Sequence, residues 1–548
     1  MKTGRNKVTE EKKRLQLTWK GKNVSFLLPV LLILVISFGL AGYAQHIGND
    51  AYFGKRVWLY FCIGIFFYLT GPGSVIHRIS MENWKREHVI LCALVLAVTC
   101  FAAVRTMEIS DWWSDNGPDY HFQYEAMTEA VLDGHLYLDI EVSPELAALE
   151  NPYDPWQRNE AGASYLWDHA FYDGHYYMYF GVVPVFLIMV PFKLLGISLF
   201  SYQVTQIFVV LAICGLFAVF YEICKRMCPE IPLSGYLAVS VASSWISLWY
   251  AIKYPALYCT ANSGGICLAV WGFYFCYKAF VTEKNKRKVL LYTIVGAFCS
   301  ALTFGTRPTI GLFCLILMPL LFHFMKNCHN FKERIKTFIA FCIPFAVVAI
   351  LLMLYNYARF DSPFEFGQSY QLTTVDQHAY SENKIELHKC LTGLWFQLFS
   401  YEDVSHTFPY IHHDGNLVLF PILYISLRSF GLRGNGRRGQ TMVKGLVGMI
   451  CLSVVIISAY HVTWAPVMFR RYSLDFNFLL CFLLMFGVCG LYWQQQNLAK
   501  LSYLLTLLAA AVFVVCFLLY FVEYDYSIAT HHRDIWEKVR DLIAFWEK

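Results

Sequence analysis

At 548 residues, 57% hydrophobic and only 15% charged, the chain is too apolar for a soluble multi-domain protein and reads as a polytopic membrane protein. The net charge of +5 reflects clusters of Lys and Arg in short loops, and no nucleic-acid partner is expected. Most of the eighteen cysteines lie inside apolar runs as small hydrophobes, so no disulfide framework is expected.

The N-terminal head is basic (Lys2, Arg5, Lys7, Lys12, Lys13, Arg14), and the apolar run that follows has no small-residue cleavage site, so it reads as an uncleaved anchor. Runs long enough to cross a bilayer occupy about 26–44, 57–76, 89–104, 203–221, 233–251, 263–281, 289–305, 309–325, 337–356, 416–430, 443–461, 473–493 and 501–522. The expected fold is therefore all-α, with about thirteen transmembrane helices. The basic loops around Arg78, Arg226, Lys286, Lys332 and Arg437 mark one side, taken as cytoplasmic. They agree only if 176–196, which contains Pro184 and Pro191, does not span. The N-terminus is then inside and the C-terminus outside. Residues 1–88 form the basic head and an extra hairpin, 89–522 the main transmembrane domain, and 523–548 an outer amphipathic tail. That tail sets Ile535, Trp536, Val539, Leu542, Ile543 and Trp546 near one helical face, suited to the membrane surface.

Two long outer loops, 105–202 and 357–415, follow from this count. Residues 105–175 hold fifteen carboxylates against Arg105 and Arg158, interleaved with Trp112, Trp113, Tyr120, Tyr124, Trp156, Tyr165 and Trp167. A segment this acidic and this aromatic is neither a disordered linker nor a lipid-facing span, and reads as a folded platform with juxtamembrane helices. The string Asn116-Gly117-Pro118-Asp119-Tyr120 opens a helix in which Tyr120, Tyr124, Met127 and Val131 follow at helical spacing. Asp119 is the first choice for a general base accepting a hydroxyl proton, with Asp115 and Asp111 its nearest competitors, and an ordinary first-turn acid is the plain alternative. Tyr120, Tyr124, Trp156, Trp167 and Tyr472 are candidates for stacking on a sugar or acceptor.

Lys253, Arg307, Arg470 and Arg471 fall on the outer side against the charge rule. Several guanidinium groups converging there would grip phosphate oxygens, whereas any one alone would simply snorkel. His412-His413-Asp414, with His406 nearby, lacks the spacing of a metal site, and no metal or other cofactor is expected. No glycine-rich phosphate loop or nucleophile elbow appears.

The segments "DNGPDYHFQYEAMTEAVLDGHLYLD", "YLWDHAFYDGHYYMYFGVVPVFLIMVPF", "YNYARFDSPFEFGQSYQLTT" and "FRRYSLDF" resemble the GT-C superfamily of polytopic glycosyltransferases, which includes protein mannosyltransferases and lipid A aminoarabinose transferases. The likeness covers about 89–490. It implies a polyprenyl-phosphate sugar donor, a glycan, lipid or protein acceptor, a first-loop acid as base (Asp119) and cations holding the donor phosphate (Arg470, Arg471). Its setting would be the outer face of a bacterial cytoplasmic membrane. The chain departs from the pattern in "AIKYPALYCTANSGG", where many relatives carry another carboxylate and this chain offers Cys259, Thr260 and Asn262. That weakens the case for a two-acid or metal-dependent mechanism. The rival expectations are a transporter or flippase of a lipid-linked glycan and a non-catalytic glycan assembly protein.

Overall fold

The computed structural model describes residues 18–19, 22–23, 27–48, 52–109, 122–377, 386–401, 405–432, 436–464, 470–523 and 528–547. The protein is helical and polytopic. Among the described residues, ten helices are long and apolar enough to cross a membrane. The other three expected spans correspond to shorter elements: an 18-residue helix, a 17-residue helix, and a stretch whose Pro421 leads into an eleven-residue 3₁₀ path.

The chain divides into two compact units, residues 1–74 with 534–548, and residues 75–533. In the first, α1 (Leu27–Ile47) and α2 (Phe53–Thr70) form a hairpin whose exposed leucine, valine and aromatic side chains suit a lipid environment. Arg56 is fully buried and donates to the carbonyls of Asp541 (2.7 Å) and Leu542 (3.3 Å). It thereby caps the C-terminal end of the amphipathic tail helix Arg533–Ile543, where helix carbonyls lack partners of their own.

In the second unit, α3 (Arg86–Met107) is followed by a loop region containing α4 (Gln123–Asp133). Then come α5 (Ser201–Met227), α6 (Leu233–Lys253), α7 (Leu257–Thr282), α8 (Lys286–Leu302), α9 (Pro308–Asn327) and α10 (Phe331–Phe360). After α11 (Leu387–Phe399) the chain continues as α12 (Gly436–Trp464), α13 (Arg470–Gln494) and α14 (Leu498–Tyr520). Helices α6 and α13 are 89% buried over their apolar windows and form the hub, whereas α3 is 11% buried. Small residues let α7 and α8 approach closely. A Cβ at Gly272 would fall 2.3 Å from Ser300 Oγ, and one at Gly296 would fall 2.7 Å from Cys276 Sγ.

The described part of the acidic segment, residues 122–175, contains short helices and turns. Helix α4 ends at Gly134 in the left-handed conformation, and a hairpin (Ala170–Tyr172 with His175–Tyr177) turns through Asp173-Gly174, both at positive φ. Pro155 opens the short helix Pro155–Glu160, whose N-cap Asp154 accepts from the Trp156 N–H at 2.9 Å. The two long loops form one structure. Asp168 N–H donates to Leu372 O (3.0 Å), Leu372 N–H to His169 O (2.9 Å) and Phe171 N–H to Tyr370 O (2.9 Å). Residues 176–196 contain no spanning helix. They hold the end of the hairpin and the short apolar helix Val185–Leu194, only about 15 Å long at 1.5 Å per residue.

Candidate functional site

Beneath the joined loops lies a cavity of about 480 Å³. Its walls are the N-terminal ends of α7, α9 and α13, the C-terminal ends of α10 and α12, and the loop segments around Asp168, Gly181 and Gln371. Three helix N-termini facing one space favour negative charge there. Gly181 permits the close packing of this wall, since a Cβ would lie 2.3 Å from the Thr306 carbonyl oxygen.

Asp168 is the carboxylate in that wall. It is buried and held at φ 57° by the loop-to-loop pairing, and its side chain accepts from the Tyr258 hydroxyl and from Gln371 Nε2 (2.7 Å). Burial pushes its carboxyl above the usual range, against the opposing pull of the Tyr258 hydroxyl and the Arg471 charge. Arg471 stacks over the Tyr258 ring at 3.9 Å, so guanidinium, phenol and carboxylate form a continuous chain. The neighbouring His169 is buried, which lowers it to about 4, and its Nδ1–H donates to Trp167 O (2.9 Å), so it acts as a neutral brace.

Behind the cavity, Asp475 in the first turn of α13 is fully buried and satisfied from several sides. It accepts from Arg307 Nε (3.1 Å), Thr309 Oγ1 (2.6 Å) and Asn262 Nδ2 (2.5 Å), with His461 Nε2 at 3.0 Å. A carboxylate with this many partners holds other groups in place and is not free to take a proton from a substrate. Arg307 uses only Nε for this contact, and its two terminal NH₂ groups make no hydrogen bond to the described residues while the side chain lines the cavity. His461 stacks on Tyr472 at 4.6 Å, and both line the same space.

Of the four expected phosphate-binding cations, Arg471 and Arg307 line the cavity and the other two do not. Arg470 donates to Phe396 O (3.0 Å) and to Ser400 Oγ, and its guanidinium lies over the Phe396 ring, so it anchors α11. Lys253 is buried, donating to Val522 O (3.1 Å) with His413 Nε2 at 3.0 Å. Among the aromatic candidates, Tyr472 faces the cavity, Trp167 packs against the Asp168 carboxylate, Tyr124 is a core residue and Trp156 lies on the platform surface. Asp111, Asp115, Asp119 and Tyr120 lie outside the described residues.

Asp168 and Asp475 were not singled out by spacing, although both stand in the quoted segments "YLWDHAFYDG" and "FRRYSLDF". The available signal was an acid beside apolar and aromatic neighbours in an otherwise exposed acidic loop, or just inside a span. Glu125 is a further perturbed acid. It accepts from the Ser201 backbone N–H (2.5 Å) and hydroxyl (2.8 Å), and burial raises it to about 7. It ties α4 to the start of α5.

The only group of potential metal ligands among the described residues is Asp133, His135 and Asp139, on the platform surface away from the cavity. Exposed acidic groups of this kind are common without an ion. No family model, curated protein or solved structure matches the chain.

Proposed function

We propose that the protein is an integral membrane glycosyltransferase that moves a sugar from a polyprenyl-phosphate carrier to an acceptor at the outer face of a bacterial cytoplasmic membrane. The observation that carries this reading is one buried carboxylate, Asp168, sharing a cavity with Arg471 and with the uncommitted NH₂ groups of Arg307. In the reaction the acceptor O–H gives its proton to Asp168 as its oxygen bonds to the anomeric carbon. The bond from that carbon to the phosphate oxygen breaks, and the lipid phosphate leaves with the electron pair. The two guanidinium groups offset the charge that develops on the phosphate. Inversion at the sugar carbon is what the GT-C resemblance implies. A transporter would call for ionisable groups deep within its spans, whereas Asp475, Arg307 and His461 stand in the first or last turns of theirs or immediately before them.

Chain contacts also bear on the crossings expected within residues 75–533. Segments that hydrogen-bond to each other lie on one side of the membrane, so an even number of crossings separates them. Leu233 N–H donates to Ile79 O at 2.8 Å, and α3 and α5 lie between, which leaves no room for a crossing at 176–196. Five long helices separate Asp168 from Leu372, so α8 supplies a sixth, at about 26 Å of rise. Arg470 bonds Phe396 O with only α12 between among the long helices, which supports a second crossing by the 416–431 stretch. In a variant lacking accessible native cysteines, single cysteines at the exposed positions Glu160 and Lys389 should label from one side, and one at Arg226 from the other. Labelling of the Arg226 and Glu160 positions by the same impermeant reagent would overturn this topology.

The function is tested by mass spectrometry of lipids extracted from the purified protein. Wild type and Arg470→Lys should retain a polyprenyl-phosphate sugar, whereas Arg471→Lys should bind it at least about tenfold more weakly, because a lysine loses the paired geometry and the stacking on Tyr258. Equal retention by Arg471→Lys would remove this arginine from phosphate binding. Absence of any lipid-linked sugar from wild type, together with no binding of added donor, would remove the transferase reading itself.

A further inference from the structure

A second depression, of about 610 Å³, lies on the platform and is lined by Trp156, Arg158, Asn159, Tyr165 and Thr374. Trp156 is 80% exposed although its backbone is fixed at the start of a capped helix. A lone exposed indole carries no message. Here it lines the same depression as a buried cation. Arg158 is 1% exposed and stacks on Tyr165 at 4.4 Å, and its terminal nitrogens are occupied by Pro152 O (2.6 Å) and Thr373 O. Its Nε–H is buried with no hydrogen-bond partner among the described residues. An unsatisfied buried donor costs free energy unless a ligand or water meets it. Thr374 lines both this depression and the cavity that holds Asp168, so the two spaces adjoin.

An exposed aromatic plane beside an exposed amide and a buried N–H donor matches the chemistry of a sugar ring, whose C–H face stacks and whose hydroxyls accept and donate at the rim. We propose that this depression binds a sugar unit of an extended carbohydrate acceptor, whose reactive hydroxyl lies further along the chain at Asp168. The proposal rests on the reading of the cavity as the transfer site, and narrows the acceptor from any hydroxyl to a glycan chain.

The test uses the full-length protein in lipid nanodiscs, titrated calorimetrically with neutral hexasaccharides of the malto, cello and chito series and with the matching disaccharides. At least one hexasaccharide should bind, its disaccharide at least tenfold more weakly, and Trp156→Ala should weaken the hexasaccharide by about tenfold while Trp156→Phe retains most of the affinity. The polyprenyl-phosphate sugar should remain bound in both variants. Wild-type hexasaccharide affinity in Trp156→Ala, or no hexasaccharide binding by a wild-type protein that holds its lipid donor, overturns the acceptor site alone. Loss of the donor reading shows separately, as a wild-type protein that takes up no lipid-linked sugar whatever its affinity for oligosaccharides.

Discussion

Asp168→Asn is expected to lower sugar transfer by about three orders of magnitude while leaving the lipid donor bound. General-base catalysis contributes roughly 10²- to 10⁴-fold, and the amide preserves the shape of a side chain that the Tyr258 hydroxyl and Gln371 hold in place. The wild-type pH profile should carry the same signature. Because burial raises the Asp168 carboxyl, the reactive anion forms only as pH climbs past the ordinary carboxylate range, so turnover should increase with pH through a midpoint above that range. In Asp168→Asn that rising limb should vanish. The same assay on Asp119→Asn decides between the two acids of this loop. Near-wild-type turnover in Asp168→Asn with a dead Asp119→Asn would move the base to Asp119 and leave Asp168 as a brace between the two loops.

The membrane class was legible because it rests on composition. Long apolar runs act within one helix and need no distant partner. The apolar runs that failed as long helices failed for local reasons too. α2 begins with Lys55 and Arg56, α8 begins with Lys286, Arg287 and Lys288, and Pro421 interrupts the third. The site was legible only in part, because its partners are distant in sequence. Asp168 meets Tyr258 and Gln371 across 90 and 203 residues, and Asp475 meets Arg307 across 168. Spacing along the chain contains none of this. It also could not separate Arg470 from Arg471, adjacent residues of which one turns to α11 and the other to the cavity. Asn262 of "AIKYPALYCTANSGG" donates to Asp475, 213 residues away.

Asp475→Asn is expected to cost roughly 3–5 kcal/mol of stability, the usual consequence of removing one partner from a buried ion pair. Asp475 is fully buried and the Arg307 side chain is 19% exposed, so the guanidinium would be left in a water-poor setting with its counter-charge gone. Asparagine keeps one carbonyl oxygen but turns the other into an NH₂ donor, so Thr309, Asn262 and Arg307 would compete for a single acceptor. Reversible denaturation in mixed detergent micelles measures the loss. A double variant, Asp475→Leu with Arg307→Met, removes both charges at similar volume and should regain the part of the loss that comes from the stranded guanidinium, while Thr309 and Asn262 still lack their acceptor. It should not regain transfer, because the Arg307 NH₂ groups that line the cavity are gone with the charge. An Asp475→Asn protein as stable as wild type would mean that water already reaches Arg307. A double variant with restored turnover would mean that Arg471 alone serves the phosphate. The network is worth keeping despite its desolvation cost if it fixes Arg307 at the cavity wall. Stability restored without activity is the outcome that separates this positioning role from a purely structural one.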